Sequence, residues 1–277
     1  MKEEPVTFGA GQHLFAILTE PARPTGDENS RPVFVFLSAG LLHRVGPSRL
    51  HVRMARELAE RGFSSVRVDL SGKGDSPSRP GMKNQESVAA DFSDIVAGLR
   101  SRFNQPRIVL CGLCSGADNA IRLCMSEPAV IGMVLLDPIC FPDRGFRLRS
   151  IARKYLDPRR YLRRLLRALG RRSRVALPGH KGDEVSVLSL RDLPSRSQVS
   201  DAFRLIRERR GFVLSVFTSY ASVYYDKVGQ LEEVTGVDDY AEFCTEHFWP
   251  QCEHTYKIES HRDMLVAEVQ KWSAQFA

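Results

Sequence analysis

Residues 108–118, Ile-Val-Leu-Cys-Gly-Leu-Cys-Ser-Gly-Ala-Asp, set two nucleophiles at the end of an apolar run. The run reads as a strand and an apolar-periodic helix follows it. A small nucleophile on a sharp strand-to-helix turn is a device for covalent catalysis. The turn needs glycine two residues before and two after the nucleophile, because a Cβ at either place would collide with neighbouring backbone. Centred on Cys114, the flanks are Gly112 and Gly116; centred on Ser115, they are Leu113 and Ala117. The pattern selects Cys114. A thiol there sits at a helix N-terminus, where the dipole and free N–H groups favour thiolate. It also needs an imidazole to hold or take its proton. Ser115 becomes the residue whose backbone N–H meets a developing oxyanion, with no work expected of its side chain.

The other chemistry-bearing residues are less pointed. The chain has six cysteines in 277 residues, at 111, 114, 124, 140, 244 and 252. That is no small disulfide framework, so reduced thiols are expected. Cys111-Gly-Leu-Cys114 has redox-pair spacing, but Cys111 belongs to the apolar strand and should point into the core. Cys244, His247, Cys252 and His254 have loosely zinc-like spacing, yet the segment also reads as a strand and structural zinc wants tight turns. No metal or other cofactor is expected. The net charge of +7 is unevenly placed: residues 144–174 carry thirteen Arg or Lys against Asp157, a local +12, which leaves about −5 elsewhere. The N-terminus, MKEEPVTFG, lacks the regions of a signal peptide. Apolar runs such as VFVFL are far shorter than the roughly 20 residues that cross a bilayer. A soluble, cytoplasmic protein without a transmembrane segment is expected.

The elements that must position Cys114 alternate along the chain. Residues 6–21 read as a strand pair around Gly9 and Gly11, and 21–32 as a loop. Residues 32–40 are a continuous apolar strand of the kind covered on both faces. Leu50, Met54 and Leu58 recur at helical spacing up to Gly62, and 64–70 is the next strand. Val88, Phe92, Ile95, Val96 and Leu99 trace a second helix, followed by the 108–113 strand, a helix to about Ser126, and a strand over 130–138. Alternation pauses over 141–196, then resumes with a helix near 198–210, a strand over 212–217, a strand near 240–248, and a helix striped by Leu265, Val269, Trp272 and Phe276. Short connections imply right-handed crossovers and a mostly parallel, doubly wound sheet. The expected division is a core of 1–140 and 197–277 around a basic helical insertion, 141–196.

This order of elements resembles the α/β-hydrolase superfamily, and three motifs agree. LSAGLLHRVG, after the first parallel strand, looks like the family's oxyanion loop. DLSGKGDS (69–76) is similar to its D-x-x-G-x-G-x-S turn, and GLCSG stands at its nucleophile elbow. The GLLHRVGPSR and GLC pieces are most similar to the exosortase-associated, serine-aminopeptidase-like branch. The resemblance implies a second oxyanion donor at the N–H of Leu41, with His43 and Arg44 against the substrate. Of seven histidines, it implies His254, in EHTY between the last strand and the last helix; His261 should face solvent, and His13, His43, His51, His180 and His247 fall elsewhere. The acid stays open. The family usually draws it from the loop after the seventh strand, where TSYASVYYD holds no carboxylate before Asp226. Some relatives take it from the end of the sixth strand, where VLLDPI offers Asp137. Asp69 and Asp75 are expected to hold their own turn.

A Cys–His–Asp set on this fold implies covalent acyl transfer on ester or thioester substrates. The acyl-enzyme would be a thioester, which yields more readily to amines and thiols than to water. A thioesterase-like hydrolase and an acyltransferase are both open; thiol-bearing relatives of the fold include dienelactone hydrolases, which cleave, and polyhydroxyalkanoate synthases, which transfer. The insertion occupies the family's lid slot, with Leu162, Leu165, Leu166 and Leu169 beside Arg159, Arg160, Arg163, Arg164 and Arg167. Such a lid suits coenzyme A or an acyl carrier protein, an anionic membrane surface, or plain solvation; no nucleic-acid module accompanies the charge. The reading from another class is a non-catalytic protein of the same fold that binds a ligand or partner through this lid.

Overall fold

The computed structural model describes residues 1–22, 31–155 and 191–277. The leucine and arginine stripes of 159–169, Asp157, His180 and residues 23–30 of the first loop lie outside the described residues.

The chain divides into two units, Met1–Phe141 with Asp192–Ala277, and Pro142–Arg191. The first is built on an eight-stranded sheet in the order β1-β2-β4-β3-β5-β6-β7-β8. Its strands are β1 (Lys2–Phe8), β2 (Leu14–Glu20), β3 (Val33–Leu37), β4 (Ser65–Val68), β5 (Ile108–Leu113), β6 (Val130–Leu136), β7 (Phe212–Thr218) and β8 (Cys244–Trp249). β1 and β2 form the antiparallel edge, with Val6 opposite Ala16 and Leu18 opposite Val66 of β4. From β4 across to β8 every pairing is parallel. The loops after β3, β4, β5, β6, β7 and β8 therefore share one end of the sheet. That is where ligands meet an open parallel sheet.

The sequence pattern explains the layering. Every residue of β5 and β6 is buried, as expected of central strands covered on both faces. Each fully buried aliphatic side chain there contributes roughly 1.5–3 kcal/mol. The covering helices are α1 (Leu50–Glu60), α2 (Asn84–Arg102), α3 (Ser115–Ser126), α5 (Arg196–Glu208) and α8 (Glu259–Ser273). α1 buries Leu50, Met54 and Leu58, and α8 buries Leu265, Val269 and Trp272, with Phe276 just beyond; all join one core with Phe34, Phe36, Val109 and Val134. Two short helices, α6 (Gln230–Thr235) and α7 (Tyr240–Phe243), lie between β7 and β8. The strand expected near 240 thus starts at Cys244, because Tyr240 and Phe243 turn inward on a helical turn.

The second unit interrupts the alternation between β6 and α5. Its described helix, α4 (Phe146–Tyr155), follows Asp143, whose carboxylate accepts from the Gly145 and Phe146 amides and holds the Arg149 guanidinium through both oxygens, at 2.9 and 2.8 Å. Residues 192–196, expected within the insertion, belong to the first unit. Ser195 caps α5 by accepting from the Gln198 amide, while Gln198 Oε1 accepts from the Ser195 amide. The Asp192 carbonyl accepts from Arg122 at 2.6 Å. Among the described residues no helix is long and apolar enough to cross a membrane.

Candidate active site

Leu113 ends β5, and Cys114 turns the chain into α3 with φ 56° and ψ −120°. A left-handed φ is costly for a residue with a side chain and persists only where its surroundings enforce it. Here the enforcement is visible. The Cys114 amide donates to Leu136 O at 2.8 Å, and its carbonyl accepts from the Asp118 amide at 3.1 Å. A Cβ on Gly112 would lie 2.2 Å from the Gly116 carbonyl carbon, and one on Gly116 would lie 2.9 Å from Leu37 O. The two glycines that centre the turn on Cys114 are thus the two the packing requires.

Opposite the elbow stands His254, in the loop between β8 and α8. Its Nδ1 lies 2.7 Å from Asp137 Oδ2, and its ring also hydrogen-bonds the Cys114 side chain, which leaves Nε2 for the sulfur. Asp137 is fully buried just past the end of β6, in a left-handed conformation with φ 47°. Its Oδ1 accepts from the Thr218 amide at 2.6 Å and its Oδ2 from the Thr218 hydroxyl at 2.7 Å. Three partners on one buried carboxylate fix its direction. The carboxylate bonded to the imidazole is that of Asp137; Asp226, the other expected acid, lies beyond a 3₁₀ turn over residues 219–223, and its amide donates to Gln230 Oε1 at 3.0 Å.

Burial alone would pull the His254 imidazolium down. The hydrogen bonds to Asp137 and Cys114, then the charges of both, outweigh it and push the imidazole up to about 9. The same burial without anionic partners does the opposite at His51, a fully buried ring 5.3 Å from Phe36, which falls to about 4. Cys111 is buried as expected, and burial drives its thiol far up, so the C-x-x-C spacing joins an inert core thiol to an elbow thiol. None of the six cysteines is in a disulfide.

The loop after β3 closes the other side. The Gly40 amide donates to Ser115 Oγ at 2.8 Å, and the Leu42 amide to Ala39 O at 2.8 Å. The Leu41 and Ser115 amides, expected as the oxyanion donors, make no hydrogen bond among the described residues. The Ser115 side chain, of which no work was expected, thus tethers the loop through its hydroxyl. Arg44, expected against substrate, is tied to the turn after β4. Its Nη1 pairs with Asp69 and, at 2.7 Å, with Asp75, and its amide donates to Asp69 Oδ1, so it pins the loop to the turn after β4. Asp69 and Asp75 hold that turn as expected, with the Ser76 hydroxyl donating to Asp69 O at 2.7 Å. His43 is exposed, its Nδ1 accepting from the Val45 amide at 3.4 Å.

The remaining histidines serve elsewhere. His13 Nε2 is 2.7 Å from Ser71 Oγ, and His247 is 3.1 Å from Glu268. His261 is 17% exposed and 3.7 Å from Glu253, more enclosed than expected. Among the described residues no group of three His, Cys, Asp or Glu side chains could hold a metal. Sequence reasoning missed Thr218, Ser219 and Tyr220. The Ser219 amide and hydroxyl donate to Cys252 O at 3.0 and 2.8 Å, and the Tyr220 ring stacks on His254 with centroids 3.9 Å apart. Their one signal was a loop in the usual place of the acid that carried hydroxyls instead.

Comparisons with known proteins agree with this architecture. A sequence model of a hydrolase family described as serine aminopeptidase, S33, matches residues 39–203, more than half of the chain. No curated protein matches the sequence. Among solved structures, Est1E from Butyrivibrio proteoclasticus is 15% identical over 98% of each chain, with a TM-score of 0.59. A proline iminopeptidase-related protein from Thermus thermophilus is 18% identical over 100% of this chain and 99% of its own, at 0.56. A thioesterase domain from the curacin biosynthetic pathway is 16% identical over 97% and 99%, at 0.55. At these identities the likeness is one of fold, the α/β-hydrolase fold.

Proposed function

The chain belongs to the serine aminopeptidase S33 family of α/β-fold hydrolases, and within it we propose an enzyme that forms an acyl intermediate on Cys114 from ester or thioester substrates. The family's name carries serine where this elbow carries cysteine. The observation that carries the proposal is the single imidazole, His254, hydrogen-bonded to Cys114 on one side and to Asp137 Oδ2 at 2.7 Å on the other.

With its imidazole pushed up to about 9, His254 is an imidazolium at neutral pH, the natural partner of a thiolate. The thiolate attacks the substrate carbonyl carbon, and the carbonyl electron pair moves to oxygen. The Leu41 and Ser115 amides receive that oxyanion, each donor contributing roughly 3–4 kcal/mol. Collapse expels the leaving group, which takes the proton from His254 Nε2, and leaves a thioester on Sγ. Neutral His254 then accepts a proton from water or from an amine, alcohol or thiol acceptor as it attacks, and the thiolate departs. Asp137 holds the imidazole throughout. Arg44 holds the oxyanion loop rather than the substrate, and His43 stands at the rim.

The Arg-rich segment 144–174, with its local +12, supports a lid that meets coenzyme A or acyl-carrier-protein thioesters. Six reduced cysteines support a cytoplasmic location. The test is turnover of a panel of acyl thioesters and activated esters by wild type, Cys114→Ala and His254→Ala, with and without an amine acceptor. Turnover lost in both variants sustains the proposal, and the product separates hydrolysis from transfer. A folded wild type that turns over nothing returns the non-catalytic ligand-binding reading.

A further inference from the structure

Three consecutive residues, Thr218 at the end of β7 and Ser219 and Tyr220 of the loop after it, hold the site together. The Thr218 amide and hydroxyl both donate to Asp137, at 2.6 and 2.7 Å. The Ser219 amide and hydroxyl both donate to Cys252 O, at 3.0 and 2.8 Å, which ties this loop to the one that bears His254. The Tyr220 amide donates to Thr218 Oγ1 at 3.3 Å, and its ring lies on the imidazole, centroids 3.9 Å apart and planes 23° apart. Acid, loop and base are thus held in turn by residues 218, 219 and 220.

The imidazole edge is already taken, Nδ1 by Asp137 and the other nitrogen by Cys114. Its face is where a further residue can act. The face of a phenol ring carries negative charge density, which attracts a cation lying over it more than a neutral ring. We propose that Tyr220 is a positioning residue whose ring holds His254 as imidazolium and so keeps Cys114 beside it as thiolate. The proposal rests on the acyl-transfer reading for its purpose, though not for its measurement. The other ionisable groups around the imidazole are Cys114 from the elbow, Asp137 from the end of β6, and Cys252, Glu253 and Tyr256 from its own loop. Of these, Asp137 and Cys114 act on it most strongly. Glu253 is engaged by the Ile258 amide at 3.2 Å.

The experiment is a titration of the His254 side chain by nitrogen-15 NMR on the full chain, in wild type, Tyr220→Phe, Tyr220→Leu and Tyr220→Met. Loss of the aromatic face should lower the His254 midpoint by roughly 0.5–1.5 pH units. Phenylalanine keeps the face and should leave it nearly unchanged. Two aliphatic replacements guard against one that fails to fold. Alkylation of Cys114 by iodoacetamide near neutral pH should slow in Tyr220→Leu and Tyr220→Met, because part of the thiolate–imidazolium pair gives way to thiol and neutral imidazole. An unmoved midpoint in folded Tyr220→Leu or Tyr220→Met overturns the proposal, as does a fall in Tyr220→Phe equal to theirs. A shifted midpoint in a protein that acylates nothing would sustain the role of Tyr220 while removing the enzyme. Acylation with an unshifted midpoint would do the reverse.

Discussion

Replacing His254 by glutamine at a series of pH values tests the electrostatics of the site without any substrate. The imidazole lies at about 9 against an ordinary 6.5, because the bonds and charges of Asp137 and Cys114 outweigh burial. A rise of that size corresponds to roughly 3 kcal/mol of folded-state preference for the imidazolium. It is an upper figure, since the side chain is 23% exposed. The sign is that of a base with a raised pKa. The unfolded chain already holds the proton below 6.5, so the stabilisation is full there; above that it falls, and it is gone once pH has passed through about 9. The step belongs to the Cys114–His254 pair as a unit. Urea denaturation of wild type and His254→Gln between pH 6 and pH 10.5, roughly spanning the window, should give a difference largest at the acid end and shrinking toward the alkaline end. Cys114→Ala removes one anionic partner and leaves Asp137, so its alkaline step should move down. A wild-type advantage that is flat across the range, or grows with pH, would refute the reasoning.

Ser115→Ala deletes the acceptor of the Gly40 amide. One such bond contributes about 1 kcal/mol, so the acylation rate should fall roughly three- to tenfold at little cost in melting temperature, and Ser115→Thr should recover most of it; an unchanged rate in stopped-flow acylation would mean the loop stands without the tether. His51 is held neutral by burial, its imidazole at about 4. Wild type should therefore lose stability as pH falls from 6.5 toward 4, by up to roughly 3 kcal/mol, and urea midpoints of His51→Leu should show a shallower acid limb. An acid limb equally steep in that variant would assign it to other groups.

What could be read from the sequence was local. The elbow announces itself because Gly112 and Gly116 exclude Cβ atoms within five residues of Cys114, a constraint short enough to survive as a motif. β5 and β6 are legible because strands covered on both faces admit almost nothing polar. The place of His254 followed from the order of elements. The acid did not, because His254 and Asp137 are 117 residues apart and a strand-end aspartate before proline looks the same whether it caps a turn or orients a base. Tyr220, Thr218 and Ser219 were silent for a similar reason: their work depends on which loop folds against which. The ion pairs of Arg44 with Asp69 and Asp75 were not legible, because the partners lie on a different loop. The division of the chain at Asp192 carries no compositional mark, since a capping serine and a backbone carbonyl bound to Arg122 look like any loop residues.

The most direct test of the central claim is the mass of the protein quenched seconds after mixing with an acyl thioester, followed by peptide mapping of the added group. The account predicts one acyl group, carried on the thiol of Cys114, abolished in Cys114→Ala and slowed in His254→Ala and Asp137→Asn. An acyl group mapped to Ser115, or one that forms equally well without the residue-114 thiol, would contradict it.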